Sequence, residues 1–400
     1  MGAISIVNFL WICIQLAIGF FLVFPLILFG IYQVRRRAKT QVKQPPKTYE
    51  ADYAVIVTAF RQVDQLPDVV QSLLALSYSN YHIYVVADDC DVSAIQINHP
   101  NVSILRPPVV LAGNVKSHFY AIQHFIREHE RLIIIDSDNL VDPAILNHLN
   151  RSFDRGFEAV QGIRLPKNLN TTLAQLDAAR DIYYHFFDGK VLFGAGSSAT
   201  LSGSGMAFTV ELYRKYLENR IVEGAGFDKV LQAAIVGADQ RIAFEPEAVV
   251  YDEKTTVPDQ LVGQRARWIN TWFRYARFGF ELIGKGILRR SWNQFLFGVV
   301  LLRPPLFIFL LVGMVCTFTN LFLDLPSFLI WLVGYVLFIV GFILALVQSD
   351  TPPVVYKALK GIPGFIYYQI KALTKARNAN RHSIATQHGD AVYRETEENQ

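Results

Sequence analysis

Cysteine is scarce in this chain: three in 400 residues, at Cys13, Cys90 and Cys316. Spacings that wide make neither a zinc pattern nor a disulfide framework, and they fit a reducing compartment. Charge is also thin, at 18% of residues, and nearly balanced, because 38 Lys and Arg face 34 Asp and Glu. Nothing in that balance calls for a nucleic-acid partner. Apolar residues take up the difference. The chain is 52% hydrophobic, too apolar for an average soluble protein and suited to one partly embedded in a lipid bilayer.

The apolar residues are concentrated. From Asn8 to Tyr32 there is no charged side chain, and at about 1.5 Å per residue this makes roughly 36 Å of helix, enough to span a bilayer core. It has neither a basic leader nor a small-residue cleavage site, so residues 1–33 read as an anchor rather than a cleaved signal. Arg35, Arg36, Arg37, Lys39, Lys43 and Lys47 follow in a basic linker, 34–50, which puts that end inside and the N-terminus outside. Two further spans are expected at 304–323 and 326–347. Each opens on proline, which the first turn of a helix tolerates. Arg303 should snorkel to the cytoplasmic surface. The link at Asp324 and Leu325 carries no Lys or Arg, whereas Lys357, Lys360, Lys371, Lys375 and Arg377 return after the last span. Everything from about Arg35 to Leu302 is therefore expected on the cytoplasmic side of the cell (inner) membrane, with an interfacial segment at 291–303. The tail, 354–400, is basic. Ile362, Phe365, Ile366, Ile370 and Leu373 recur there at helical spacing, which fits either a helix in the lipid headgroups or one packed on the protein's own domain. The last residues, from about Asn378, read as loose.

Between the first and second spans, apolar strands alternate with helical patterns. Tyr53–Thr58, His82–Ala87, Val102–Leu105 and Leu132–Ile135 read as strands; Leu66–Leu76 and Lys116–Glu130 read as helices. Such alternation implies an α/β domain with a mostly parallel sheet, and ligands bind such sheets beyond the carboxyl ends of the strands. Asp88, Asp89 and Asp91 follow one strand end, and Asp136 and Asp138 follow another. Carboxylates so close repel and raise each other's pKa, so a positive partner is expected among them.

Each of the polar groupings has two readings. Asp136-Ser137-Asp138 is either a solvated turn or a pair sharing a divalent cation, since Mg²⁺ takes one or two protein carboxylates plus phosphate oxygens. Asp88 either caps its own turn or accepts the imide N–H of a uracil. Lys116, at the start of a helix, is either solvated or a point charge for phosphate. Gly203-Ser204-Gly205 is either a plain turn or a place where backbone approaches a ligand closely. Asp228 is either the N-cap of a helix running to about Val236 or a general base. Gln264-Arg265-Ala266-Arg267-Trp268 puts Gln264, Arg267 and Trp268 on one helical face, offering an amide, a guanidinium suited to diphosphate and an indole on which a sugar can pack. Its other reading is an amphipathic helix at the membrane surface.

Taken in order, Asp88, Asp136-Ser137-Asp138, the turn Gly203 to Gly205, Asp228 and Gln264-Arg265-Ala266-Arg267-Trp268 resemble membrane-anchored glycosyltransferase family 2, which includes cellulose and hyaluronan synthases and ceramide glucosyltransferase. The resemblance covers about Tyr53 to Trp268 and the arrangement of spans. It implies a GT-A nucleotide-sugar-binding domain over 51–290, flanked by one N-terminal and two C-terminal transmembrane helices. It further implies a nucleotide-sugar donor, commonly UDP-linked, a Mg or Mn divalent cation, and inversion at the anomeric carbon. Asp88 then matches a nucleoside-binding aspartate, Asp136 and Asp138 the metal and diphosphate pair, and Asp228 the catalytic base. Gln264, Arg265, Arg267 and Trp268 match the group holding the diphosphate and framing the acceptor. Two positions depart from the pattern: Phe227 stands where an acidic residue is usual, with Glu223 nearby as a substitute, and Ala87 stands before Asp88. The acceptor is expected to be a polysaccharide or glycolipid, alternatively a membrane lipid receiving one sugar; a catalytically inactive scaffold is the alternative from another class. Three spans are too few to enclose a polysaccharide channel, so export would need a partner or an oligomer.

Overall fold

A computed structural model of the chain describes residues 2–38, 50–93, 97–222 and 224–379. Lys39, Lys43, Lys47, Glu223 and the tail from residue 380 on lie outside the described residues. The strands are β1 (Tyr53–Phe60), β2 (Tyr81–Asp88), β3 (Val102–Leu105), β4 (Arg131–Asp136), β5 (Leu140–Val141), β6 (Ala159–Pro166), β7 (Met206–Thr209) and β8 (Ile242–Asp252). They form one sheet in the order β3-β2-β1-β4-β7-β6-β8-β5. β3, β2, β1 and β4 are mutually parallel. β7 runs against both β4 and β6, and β6 pairs parallel with β8. Two reversals cancel, so β6 and β8 point the same way as β1 and β4. The carboxyl ends of β1, β2, β4, β6 and β8 therefore share one edge, and β7 begins there.

Apolar packing covers both faces of the central strands, which is why their sequences read as unbroken hydrophobic runs. One face buries Tyr53, Val55 and Val57 with Leu66, Val69, Ile145 and Leu149. The other buries Ala54, Ile56, Leu132 and Ile134 in a cluster that continues without interruption into Leu22, Leu28, Phe309 and Phe338 of the apolar helices. The sheet and the apolar helices thus share a core.

Three helices are long and apolar enough to cross a membrane, over Ile6–Arg37, Leu306–Leu323 and Leu325–Val347. Gln15 Oε1 ties all three together, accepting from Asn320 Nδ2 at 2.5 Å and Trp331 Nε1 at 2.9 Å. Arg303 does not snorkel. It is 6% exposed and meets Asp188 Oδ2 at 2.5 Å, because a carboxylate buried beneath the spans requires a cation beside it. The tail helix Ile362–Lys375 packs on its own domain: Ala372, and Ala376 just beyond the helix, sit against Val262, Ala266 and Ile269, while Ile362, Ile370 and Leu373 stay exposed. The segment expected at the interface is the helix Trp292–Leu302, with Asn293, Gln294 and Phe297 buried.

The helix expected over Lys116–Glu130 is shorter, Asn114–Gln123. Beyond it, polar bonds compete with helix formation. Ile126 N–H donates to Tyr84 Oη, and His129 bridges Tyr84 and Asp52. Within the helix, His118 is fully buried. Its Nδ1 lies 2.7 Å from Tyr213 Oη, and burial pushes its pKa down to about 3. A histidine kept neutral by folding protonates more readily once unfolded, near pH 6.5. Its contribution to stability is complete above that pH and is lost as pH falls from 6.5 towards 3. Replacing it with glutamine should flatten the acid decline of the unfolding free energy between pH 6.5 and 4.5, by up to about 1.4 kcal/mol per pH unit, and with it the fall in melting temperature. Thermal melts of both proteins across that range check this, and parallel declines would contradict it.

Candidate active site

Asp136 ends β4 and is half-buried. Its carboxyl is pushed up to about 7, first by burial and then by the negative charge of Asp138, with Asp252 and Asp228 adding to the effect and Arg164 opposing it. The carboxylates of Asp138, Asp252 and Asp228, from three parts of the chain, therefore lie close enough to act on Asp136, and Arg164 on β6 opposes them. Among the described residues no group of three or more His, Cys, Asp and Glu side chains is arranged as a metal cage. The donor set suits a cation that shares its shell with a diphosphate. Asp136 and Asp138 are half-buried, and Asn139, buried beside them, turns its Nδ2 to Asp138 Oδ1. A hard divalent cation accepts such oxygen donors and completes its shell with phosphate and water.

The turn before β7 closes over the same edge. Gly203 and Gly205 have φ of +93° and +67°, left-handed backbone that favours glycine. A Cβ on Gly205 would also come within 2.9 Å of Val250 Cγ2. Gly205 N–H donates to Ile134 and its carbonyl accepts from Gly162, so the turn is stitched between β4 and β6. Ser204 is fully buried, and its Oγ accepts the Asp136 N–H at 3.2 Å. Its hydroxyl holds the strand end.

Asp228 is the second residue of the helix Phe227–Gly237, and Gly226, at φ +104°, is the N-cap. The capping reading of Asp228 is thereby corrected: its side chain pairs with Lys229 Nζ at 3.0 Å, and the same ammonium donates to Leu201 O at 2.9 Å. A Cβ on Gly226 would fall 2.6 Å from Tyr275 and 2.8 Å from Thr271, so the helix carrying Asp228 begins hard against the helix Pro258–Tyr275. Phe227 is 5% exposed, its ring 5.1 Å from that of His118. The residue that departs from the family pattern is a core residue.

On the helix Pro258–Tyr275, Gln264, Arg267, Trp268, Thr271 and Tyr275 share the stripe that meets Gly226. Gln264 and Arg267 are half-buried on it, and burial lowers the Arg267 pKa. Arg265 lies about a quarter-turn away and does not join them. It is 2% exposed and ion-paired with Asp177, because its position on the helix turns it towards the helix Thr172–Tyr184. Burial, partly offset by Asp177, lowers its pKa to about 10. Trp268 is not an open platform for a sugar either: Arg265 and Arg180 set their guanidinium carbons 3.9 and 4.5 Å from its ring centroid.

Asp88 ends β2, 1% exposed. Its two carboxylate oxygens accept the N–H groups of Leu111 and Ala112 at 2.9 and 2.7 Å, holding a loop that includes Ala112 at φ +47°. That loop lines an open pocket of about 460 Å³ formed by Ala87, Asp89, Cys90, Asp91 and residues 106–110. Lys116 is exposed on the first turn of the helix beyond it.

Sequence reasoning missed Asp252, Lys254, Asp181 and Arg164. Lys254, 2% exposed, reaches Asp181 at 2.6 Å and Asp252 at 2.8 Å. Arg164 lies 3.8 Å from each of the same two acids. A signal was present: Asp252-Glu253-Lys254 follows the apolar Ala248–Tyr251 just as Asp136 follows Leu132–Ile135.

Residues 51–271 match the family model described as glycosyltransferase like family 2. Among solved structures, the mannosyltransferase PcManGT from Pyrobaculum calidifontis, in complex with GDP-Man and Mn²⁺, is similar in fold, with a TM-score of 0.59 at 16% identity over 91% of this chain and 98% of that one. Residues 1–349 of S. aureus TarS, in complex with UDP-GlcNAc, align at 15% identity with a TM-score of 0.41 over 86% of this chain and 92% of that one. No curated protein matches. With a GT-A fold whose strand ends gather the carboxylates, and a family match over more than half its length, the chain belongs to glycosyltransferase family 2.

Proposed function

We propose that the enzyme is an inverting, metal-dependent transferase. It moves a sugar from a nucleoside diphosphate, UDP- or GDP-linked, to a polysaccharide or glycolipid acceptor at the cytoplasmic face of the cell membrane. The observation that carries this reading is the convergence on Asp136 of the charges of Asp138, Asp228 and Asp252. GDP-Man and Mn²⁺ in PcManGT bear on the donor and the cation.

The nucleoside is assigned to the pocket beside the loop held by Asp88, and the diphosphate to the edge between Lys116, the turn Gly203–Gly205, Gln264 and Arg267. Asp138, with Asp136, would hold a divalent cation, which when bound offsets the charge that grows on the departing diphosphate. Asp228 takes the proton from the acceptor hydroxyl as that oxygen attacks the anomeric carbon from the side opposite the diphosphate. Lys229 steadies the carboxylate for this step. Holding donor and acceptor in line removes the entropy of their encounter from the barrier.

One observation favours an acceptor carried by a membrane lipid. The helix Thr172–Tyr184, which supplies Asp177 and Asp181, packs Ala179, Ile182 and Tyr183 directly on Leu346, Phe338 and Phe342 of the last span. A soluble acceptor gains nothing from a site seated on the spans.

The test is nucleotide release by purified protein across UDP-, GDP- and dTDP-sugars, with and without Mn²⁺. Release from one donor class, and only with metal, is expected. Metal-independent release would contradict the mechanism, and no release from any donor would favour the inactive scaffold. Sizing of the lipid-extractable product then separates a single added sugar from a ladder of lengths.

A further inference from the structure

Asn139 directly follows the carboxylate assigned to the metal and is 1% exposed. Its Nδ2 donates to Asp138 Oδ1 at 2.8 Å and to Asp252 Oδ1 at 3.4 Å. The other oxygen of Asp252 accepts from Lys254 Nζ at 2.8 Å, and that ammonium also meets Asp181 Oδ2 at 2.6 Å. The backbone of Lys254 is clamped in turn: its N–H donates to Asn168 Oδ1 at 2.6 Å, and its carbonyl accepts from Asn168 Nδ2 at 3.0 Å. Burial alone would raise the Asp252 pKa, but Lys254 and Arg164 outweigh it and keep the carboxyl below its ordinary range.

We propose that Lys254, Asp252 and Asn139 form a positioning relay that fixes the orientation of Asp138. This rests on the metal-dependent reading given above. A side-chain amide between two carboxylates can present only its N–H end to them, since the oxygen end would be repelled by both. The bond to Asp252 therefore decides which way the Asn139 amide faces, and the amide decides which oxygen of Asp138 is occupied. The ammonium of Lys254 keeps Asp252 ionised and occupied, so Asp252 acts as an anchor and does not compete for the cation. Groups behind a metal ligand commonly set its affinity in this way.

The test is Mn²⁺ titration, read by electron paramagnetic resonance, of the full-length protein in nanodiscs with UDP or GDP present. Wild type, Asp138→Asn, Asn139→Ala, Lys254→Gln and the Asn139→Ala/Lys254→Gln double variant are compared. Asp138→Asn should lose the bound Mn²⁺. Asn139→Ala and Lys254→Gln should each weaken it by about 10–100-fold. The double variant should be no weaker than the worse single, because a chain cut twice is broken no further. A merely structural role would move the melting temperature and leave the Mn²⁺ affinity of the folded fraction unchanged. Should Lys254→Gln not fold, Asn139→Ala decides alone. A loss of less than tenfold in Asn139→Ala, or losses that add in the double variant, overturns the relay. Equal Mn²⁺ binding by wild type and Asp138→Asn overturns the metal reading beneath it.

Discussion

Asp138→Asn is expected to cut sugar transfer by about two to three orders of magnitude, the usual loss when a group stabilising the developing charge is removed. The substitution keeps the side chain's size and one oxygen able to accept from Asn139. It removes the charge that a divalent cation would need. It also removes a repulsion: Asp138 is the largest contribution after burial to the raised pKa of Asp136. The fold should therefore be as stable as wild type or slightly more so. Labelled-sugar transfer by membranes of matched protein content, with a thermal melt of the purified variant, checks both halves. Turnover within tenfold of wild type would remove Asp138 from the mechanism.

The largest loss of stability is expected from Asp177→Ala. Asp177 and Arg265 are each 2% exposed and ion-paired, and Arg265 Nε and Nη1 have no hydrogen-bond partner among the described residues. Removing the acid strands a guanidinium in the interior, at about 3–5 kcal/mol. A buried pair replaced as a whole by apolar side chains often costs little, so Asp177→Leu/Arg265→Met should regain most of the loss. Denaturation of the single and double variants in nanodiscs measures this. A single variant within 1 kcal/mol of wild type, on the order of a surface pair, would show that the pair contributes little.

The two results bear on different layers of the site, and these layers differed in how legible they were. The carboxylate edge was readable because each acid follows an apolar run within a few residues: Asp88 after Ile83–Ala87 and Asp136 after Leu132–Ile135. Parallel strands buried on both faces write that signal locally. The buried layer behind it was not readable. Arg265 and Asp177 are 88 residues apart, and Lys254 and Asp181 are 73 apart. No local pattern announces which cation finds which acid. The Gln264–Trp268 grouping showed the same limit. Helical spacing put Gln264, Arg267 and Trp268 on one face, yet it could not show that Arg180, from another helix, already stands over the indole. Strands β6 and β8 escaped notice because Gly162, Pro166 and the Glu245-Pro246-Glu247 step interrupt the apolar run, and the register shifts between Gly162 and Ile163. Arg303 was misread for a related reason: basic residues flanking spans usually snorkel, and only the position of Asp188 turns this one inward.

The most direct test of the whole account is a cryo-electron microscopy map of the protein in nanodiscs with Mn²⁺ and the donor that the release assay identifies. The expected result is a metal peak within coordinating distance of an Asp138 oxygen, with the nucleobase beside the loop of residues 106–112 and the anomeric carbon facing Asp228. A nucleotide seated elsewhere, or a metal held away from Asp136 and Asp138, would contradict it.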